Sequence, residues 1–349
     1  MNKRSIQYDL IRVTAMFMVI CLHTEALTRT FVDVNDKALL FANISKGLFI
    51  SSNYLFFMLS GKFALYKQFN DQKDYAIYYI KKIFSIIVPF LVFSYILFAI
   101  YNRSSIFDLG LFYTKLISLK VEGVYWFIYS IIPLYLSAPF LSKMVHSMNK
   151  NDKKNFLILG LAVEAFSLFH IMIQKENAFT LGIFPFMEWA FCFTLGSFIE
   201  EIFDEKGRKN MMWLGLISFI LKLVCQYIRP EASIVAGNNV LMTLEVIGLY
   251  FFLLDVVKIK NEKVANVITW VAKYSFMVYL IHPIFLMLLR KVFDFNVSFT
   301  SNVIFIPFGI IIVLVGSLLI GFIFENCLFK HTSKLGNKLC DKVKKSSAS

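Results

Sequence analysis

The chain has 349 residues, of which 58% are apolar, 17% are charged and 39 are phenylalanine. Soluble domains carry about 25% charged residues, and a mean hydropathy of +0.66 is too high for a surface that faces water. The formal net charge of +13 would suit nucleic acid, but the lysines lie in short tracts between apolar runs, without a nucleic-acid-binding motif. The composition therefore predicts an all-α integral membrane protein whose solvent is the lipid bilayer, with no nucleic-acid partner.

Ten apolar segments approach the length of a membrane span, which is about 20 mostly apolar residues. They are residues 10–28, 46–66, 83–101, 124–144, 156–173, 185–201, 211–228, 238–257, 274–291 and 301–325. Lys3 and Arg4 precede the first segment, as in a signal peptide, but no small-residue cleavage site follows it, so we expect a retained helix. The pattern predicts about ten transmembrane helices in one domain over 1–330. A basic cytoplasmic tail over 331–349 would follow, frayed from Lys338.

The basic residues are distributed unequally between the two sides of this arrangement. With the N-terminus inside, the predicted inner segments hold 23 of the 36 lysines and arginines, and the outer segments hold ten. Cytoplasmic loops of membrane proteins are enriched in lysine and arginine. We therefore expect a multi-pass protein of the cell membrane with both termini in the cytoplasm.

Three ionisable residues mark the first helix: Asp9 directly precedes the segment 10–28, and Arg12 and His23 lie within it. Charged groups inside a span are costly and are therefore candidates for function. The step from Arg12 to His23 makes about three helical turns, which puts both side chains on one face about 16 Å apart, and Asp9 can pair with Arg12 one turn away. The alternative is a structural Asp–Arg pair and a histidine bonded to a neighbouring helix. Three aligned groups in an apolar helix favour function.

Other ionisable residues in the segments are assigned less directly. Glu25 lies about 200° around the helix from His23, so we expect it at the rim of a cavity. His282 would line the same cavity or be a core histidine with its hydrogen bonds satisfied. A third set would either line a pocket for an acceptor or pair internally, which is the simpler interpretation: Glu188, Lys222 and Glu245.

Five short motifs follow one another along the chain. They are Asp9 and Arg12 with His23; Leu55-Phe56-Phe57-Met58-Leu59-Ser60-Gly61; Tyr79-Ile80-Lys81-Lys82-Ile83 with Pro89; Tyr125-Trp126-Phe127 with Leu134-Tyr135-Leu136 and Pro139; and Tyr274-Ser275-Phe276 with Tyr279-Leu280-Ile281-His282-Pro283. In this order they resemble membrane acyltransferase family 3, a group of bacterial sugar O-acetyltransferases that includes the enterobacterial common antigen enzyme. Two features depart from the family pattern. Lys62 stands at a position that is usually aromatic, and the third motif has lysines in place of arginines.

The resemblance implies an O-acyltransferase that moves an acyl group, most simply acetyl from acetyl-CoA, to a hydroxyl of a cell-envelope saccharide or lipid-linked glycan. His23 would be the base or a transient acyl carrier. Arg12, held by Asp9, would bind the donor through its planar guanidinium. Lys81 and Lys82 would hold CoA phosphates, or act only as topogenic charge. The five cysteines show no CxxC and no metal-ligand spacing, so no metal site is expected.

Two other functions suit a helical membrane protein with buried charges. One is a secondary transporter or polysaccharide exporter that uses the charges as a substrate path, although the sequence shows no inverted repeat and no paired broken helices. The other is a non-enzymatic subunit of an envelope-assembly complex. Neither would hydrolyse acetyl-CoA or release CoA, which separates both from an acyltransferase.

Overall fold

A computed structural model describes residues 5–27, 36–174, 188–292 and 299–345. Within these ranges the chain is helical with short turns, and no β-strand occurs in them. The α-helices are α1 (Ile6–Leu27), α2 (Asp36–Phe49), α3 (Ser51–Ala64), α4 (Gln72–Lys82), α5 (Val88–Tyr101), α6 (Leu109–Ile117), α7 (Trp126–Ser147), α8 (Lys150–Gln174), α9 (Glu188–Ile202), α10 (Glu205–Ile228), α11 (Val240–Phe251), α12 (Glu262–Val292), α13 (Phe299–Phe324) and α14 (Lys330–Lys345). Three π-helical turns interrupt or extend this series, at Ile83–Ile87, Phe252–Val256 and Glu325–Phe329.

Seven helical runs in the described part of the chain are long and apolar enough to cross a membrane. They are Ile6–Ala26, Gln72–Tyr101, Gly123–Ser147, Lys150–Ile173, Glu205–Ile228, Glu262–Val292 and Ile304–Lys345. Three further predicted segments are helical but shorter. A turn at Ile50 divides 46–66 between α2 and α3, α9 has 15 residues, and α11 has 12 before its π-turn. The all-helical membrane architecture is confirmed, and the count of ten spans stays a prediction.

Hydropathy alone misses helices that are short or amphipathic. The stretch before residue 46 was expected to be an outer loop, yet α2 begins at Asp36. The expectation of a frayed tail from Lys338 is wrong as far as Lys345, because α14 continues to that residue and packs on α4. Polar residues at helical spacing form an amphipathic helix without reaching the mean hydropathy of a span.

Helix α1 lies in the interior of the bundle and packs against α3, α12 and α13. Helix α3 in turn meets α9 through glycines. A Cβ atom at Gly61 would lie 1.6 Å from the carbonyl oxygen of Phe193, and one at Gly196 would lie 2.0 Å from that of Met58. No larger residue fits at either position unless the backbones move apart. The glycine that ends the second motif is therefore required by packing, and it lies on the side of α3 that faces α9.

Candidate functional site

A cavity of about 420 Å³ lies beside the first half of α1. Helices α1, α3, α7 and α12 line it together with α4 and the π-turn that follows α4. Its polar wall consists of Arg12, Ser60, Lys67, Tyr78, Lys82, Ser85, Tyr135, Ser275 and Tyr279. Each of the five sequence motifs contributes at least one of these residues, and Lys67, Tyr78 and Ser85 lie outside the motifs. The fold thus brings together parts of the chain that are more than 250 positions apart.

Arg12 projects from α1 into this cavity. Its Nη1 atom lies 3.7 Å from Oδ1 of Asp9, and the Arg12 side chain is 31% exposed against 4% for Asp9. The guanidinium carbon lies 5.5 Å from the centre of the Phe63 ring, which makes a cation–π contact. The predicted pairing of Asp9 with Arg12 is confirmed. The buried carboxylate of Asp9 contacts one side of the Arg12 guanidinium, and another side of the guanidinium borders the cavity.

The structure separates the two neighbouring lysines of α4. Nζ of Lys82 lies 3.5 Å from the centre of the Tyr135 ring and 5.5 Å from that of Tyr78, and all three residues line the cavity. Lys81 is exposed and does not belong to the described wall of that cavity. Successive helical residues point about 100° apart, so one lysine turns inward and the other does not. Of these two lysines, Lys82 is the one that lines the cavity together with Arg12.

The cavity borders a narrow closed gap that has no room for a water molecule. Phe56 and Tyr279 line both spaces, and His282 lines the gap. The ring of His23 lies beside that of His282, with centroids 5.2 Å apart and planes inclined by 32°. Tyr279 is therefore shared by the cavity that Arg12 lines and the gap that His282 lines, and His23 lies beside His282 without being among the described lining residues of either space.

The contacts of His282 determine its tautomer. Its side chain is fully buried, and its Nδ1 lies 2.6 Å from the carbonyl oxygen of Tyr279. A carbonyl oxygen can only accept, so Nδ1 carries the hydrogen and Nε2 carries the lone pair. Among the described residues Nε2 has no hydrogen-bond partner. Buried polar atoms are nearly always satisfied, so this acceptor beside His23 is a candidate for function.

Two tyrosine hydroxyls hold α12 against the start of α7. The Tyr125 hydroxyl donates to the carbonyl oxygen of Leu280 at 2.6 Å, and the Tyr279 hydroxyl donates to that of Val124. The fourth and fifth motifs are thus bonded to each other. These bonds fix Tyr279 as the rigid side of the boundary between the cavity and the gap.

A family model for the acyltransferase domain of the acyltransferase 3 family matches residues 5–322, which is most of the chain. The chain belongs to the acyltransferase 3 family. No curated protein and no solved structure matches it. The protein is therefore an acyltransferase, and its helical architecture makes it a multi-pass membrane enzyme.

The acyltransferase accommodates its unusual Lys62 through an ion pair. Nζ of Lys62 lies 3.1 Å from Oε1 of Glu200. The same carboxylate accepts hydrogen bonds from the hydroxyls of Tyr8, at 3.0 Å, and Tyr250, at 2.6 Å. Lys62 is therefore compensated by a neighbouring helix and joins α3 to α9, rather than adding a cation to the cavity wall.

A second charged cluster of the acyltransferase lies between α3, α10 and α11. Nζ of Lys222 pairs with Oε2 of Glu245, and their side chains are 0% and 6% exposed. Ser51 donates to Oε1 of Glu245 at 2.5 Å, and Lys222 donates to the carbonyl oxygen of Gly47 at 2.9 Å. The predicted pairing of Lys222 with Glu245 is confirmed, and Glu245 also lines a pocket of about 540 Å³ between α10 and α11.

Two further predicted site residues of the acyltransferase are Glu25 and Glu188. Glu25 is buried, with 1% of its surface exposed, so it is not a rim residue, and it is absent from the described walls of both the cavity and the gap. Glu188 begins α9, and its side chain lies outside the described residues. In the described ranges no cluster of three or more histidine, cysteine or acidic side chains is arranged for a metal ion. Arg12 and Lys82, with aromatic rings beside them, instead suit an organic anion.

Sequence reasoning missed Lys67 and Tyr78 in the cavity wall of the acyltransferase. Tyr78 is buried, and its hydroxyl has no hydrogen-bond partner within the described ranges. A signal for it exists in the sequence, because Tyr78, Lys82 and Ser85 are spaced by four and three residues and so share one helical face. Lys67 lies in the turn after α3, where its Nζ pairs with Asp74 at 3.0 Å, and no periodic pattern marks it.

Proposed function

We propose that this acyltransferase moves an acetyl group from cytoplasmic acetyl-CoA to a hydroxyl of a cell-envelope saccharide or lipid-linked glycan. The observation that carries the proposal is the boundary at Tyr279 between the cavity lined by Arg12 and Lys82 and the gap lined by His282, whose ring lies beside that of His23. This boundary joins a cationic cavity, suited to a donor with phosphates, to a pair of proton acceptors. Family membership supplies the reaction class, and the cations argue for an anionic donor.

The donor would be held on the cavity side of this boundary. The planar guanidinium of Arg12 forms two parallel hydrogen bonds to a phosphate or carboxylate-like oxygen pair, while Asp9 keeps it in place from behind. Lys82 adds a second cation, and its ammonium group lies beside the rings of Tyr78 and Tyr135. The thioester end of the donor then points toward the boundary formed by Phe56 and Tyr279.

His23 would carry the transfer itself. As a base, it takes the proton of the acceptor hydroxyl while the hydroxyl oxygen attacks the thioester carbon. The carbon–sulfur bond breaks, and the leaving thiolate regains the proton from the imidazolium. As an acyl carrier, His23 attacks the thioester carbon, the carbon–sulfur bond breaks, and CoA leaves as a thiolate. The acceptor hydroxyl then attacks the acyl carbon, the bond from that carbon to His23 breaks, and the hydroxyl proton goes to the thiolate. In both routes His23 becomes positively charged, and Nε2 of His282 is an acceptor that can bond to the imidazolium.

The direction of transfer follows from the proposed topology, with both termini in the cytoplasm. The charge distribution, 23 basic residues inside against ten outside, supports this orientation. Reporter fusions at the C-terminus and near Lys175, which lies outside the described residues, test it. Cytoplasmic activity at the C-terminus and external activity at Lys175 are expected. The reverse pattern would place the donor cavity on the opposite side.

The proposal is tested by following the acetyl group. Purified protein in lipid is given acetyl-CoA labelled in the acetyl carbon, and free CoA is measured. Envelope glycans from cells with and without the gene are then compared by mass spectrometry. Release of CoA and a gene-dependent acetyl group on a saccharide are expected. Transport of a saccharide without thioester consumption would instead indicate an exporter, and absence of both would indicate a non-enzymatic subunit.

A further inference from the structure

The C-terminal helix α14 uses one of its faces to pack on the bundle. A Cβ atom at Gly336 would lie 2.8 Å from the ring of Phe84. Cys340, one turn further on, is buried, with its sulfur 3.9 Å from the carbonyl oxygen of Ile77. These contacts dock α14 against α4 and the π-turn that follows it.

A second face of α14 carries a row of lysines at every fourth position. They are Lys330, Lys334, Lys338 and Lys342, and all four are exposed. Four residues turn a helix by about 400°, so each lysine is displaced only about 40° from the one before. The row is a continuous positive stripe. Asp341, the acidic residue of α14, pairs with Lys344, which lies outside the row, at 3.2 Å.

Exposed leucines run beside this stripe. Leu335 and Leu339 lie one turn apart and are 52% and 36% exposed. Lys338 and Lys342 each follow one of these leucines by three residues, which makes them neighbours on the helix surface. An apolar strip bordered by lysines is the pattern of a helix that lies in a membrane interface, where the leucines enter the acyl region and the ammonium groups stay among the headgroups.

We propose that α14 lies against a lipid surface and that its lysine stripe binds anionic phospholipid headgroups. The helical run Ile304–Lys345 has 42 residues and is about 63 Å long, whereas the hydrocarbon core is about 30 Å thick. Its last half therefore reaches the depth of the headgroups. Lysines that serve only to set the membrane topology must lie on the cytoplasmic side, but they need not be spaced so that they share one face of a helix. Lys258, Lys260 and Lys263, in another basic segment, form no such row.

Lipid binding at α14 would act on the wall of the donor cavity. Helix α4 and its π-turn contact α14 through Ile77 and Phe84. They present Tyr78, Lys82 and Ser85 to the cavity on another side. A lipid that immobilises α14 therefore also restrains the elements that carry Lys82. The inference depends on the protein lying in a membrane and not on the acyl-transfer chemistry.

Hydrogen–deuterium exchange on the full chain tests this inference. The protein is placed in nanodiscs of phosphatidylcholine alone or with one third phosphatidylglycerol, and exchange is followed over residues 330–345. Each lysine near an anionic surface strengthens the binding of a helix to that surface about fivefold. The stripe should therefore make exchange of α14 at least about tenfold slower in the anionic discs than in phosphatidylcholine alone. High salt should remove the difference, because it screens exposed charges.

Two matched variants identify the charges responsible. The triple change Lys334→Gln, Lys338→Gln and Lys342→Gln should abolish the lipid-dependent protection of α14. The triple change Lys258→Gln, Lys260→Gln and Lys263→Gln removes the same charge and should preserve it. Equal exchange of wild-type α14 in both lipids would overturn the inference. Equal loss of the lipid-dependent protection in both triple variants would also overturn it. So would a stripe variant in which α14 is unprotected in every lipid, because the lysines would then be needed for the folding of α14.

Discussion

The acyltransferase places charged side chains in two regions of its helical bundle, and they are used differently. Between α10 and α11, Lys222 and Glu245 contact each other and are almost completely buried. Beside α1, Arg12 is 31% exposed, and it borders a cavity of about 420 Å³ together with Lys82. A charge within a membrane needs a partner. Lys222 and Glu245 are both buried and close on each other, whereas Arg12 contacts the buried Asp9 and still lines the cavity. The two regions therefore differ in how far their cations border open space, and not in the types of residue that they contain.

The largest loss of stability is expected from breaking the buried pair of Lys222 and Glu245. Lys222→Met leaves the buried carboxylate of Glu245 without its cation, and removing one member of a buried pair costs about 3–5 kcal/mol. Thermal unfolding in detergent should show a large loss of stability. The double variant Lys222→Met with Glu245→Gln removes both charges and should recover most of it. If the single variant unfolds like the wild type, the pair is not structural.

A smaller loss, in activity rather than stability, is expected from His282→Asn. The asparagine amide can replace the Nδ1 hydrogen bond to Tyr279, but it has no counterpart to the Nε2 lone pair. A hydrogen bond to a charged group contributes about 1.5–3 kcal/mol, so specific activity should fall about 10–100-fold with an unchanged melting temperature. His282→Gln, which places an amide near the Nε2 position, should retain more activity than His282→Asn. Full activity in His282→Asn would limit the residue to packing.

Arg12→Lys keeps the charge at the cavity and removes the planar fork. An ammonium cannot hold two oxygen atoms in parallel as a guanidinium does, so KM for acetyl-CoA should rise about tenfold, with a smaller change in kcat. Steady-state kinetics at saturating acceptor give both parameters. An unchanged KM for the donor would show that Arg12 does not bind it.

The smallest effect is expected at the neighbouring lysines of α4, which form a matched pair. Lys82→Gln removes a partly exposed cation from the cavity and should raise KM for the donor about threefold to fivefold, in the range of a screened charge contact. Lys81→Gln makes the same chemical change at an exposed position outside that wall and should leave KM within about twofold. Equal effects would mean that the lysines act through the general positive charge of this surface.

Much of the fold follows from the sequence because each predicted span is a long apolar run. Each of the ten segments is helical over most of its described residues, although 46–66 is divided between α2 and α3. The missed features have other causes. The helix breaks at Ile50, directly before Ser51, whose hydroxyl donates a hydrogen bond to Glu245. These two residues are 194 positions apart, so the sequence around Ile50 carries no signal of this contact. Helix α14 is amphipathic, so a search for mean hydropathy passes over it.

The candidate site was predictable in its first helix and less so elsewhere. Asp9 and Arg12 are one turn apart, and helical geometry alone brings them together. The approach of His282 to His23 depends on how α12 packs on α1. The motifs suggested that these two helices share a cavity, but the spacing of residues within either helix does not require it. The inward turn of Lys82 rather than Lys81 depends on the rotation of α4 about its axis, and that rotation is set by tertiary contacts.

The most direct test of the account compares the two regions in one assay. Specific activity per folded protein is measured for His23→Ala and for the double variant Lys222→Met with Glu245→Gln. Loss of a general base costs about 10²–10⁴-fold in rate, so His23→Ala should lose that much activity and keep the unfolding temperature of the wild type. The double variant should keep its activity. Near-normal specific activity in His23→Ala would contradict the account and move the catalytic role to His282.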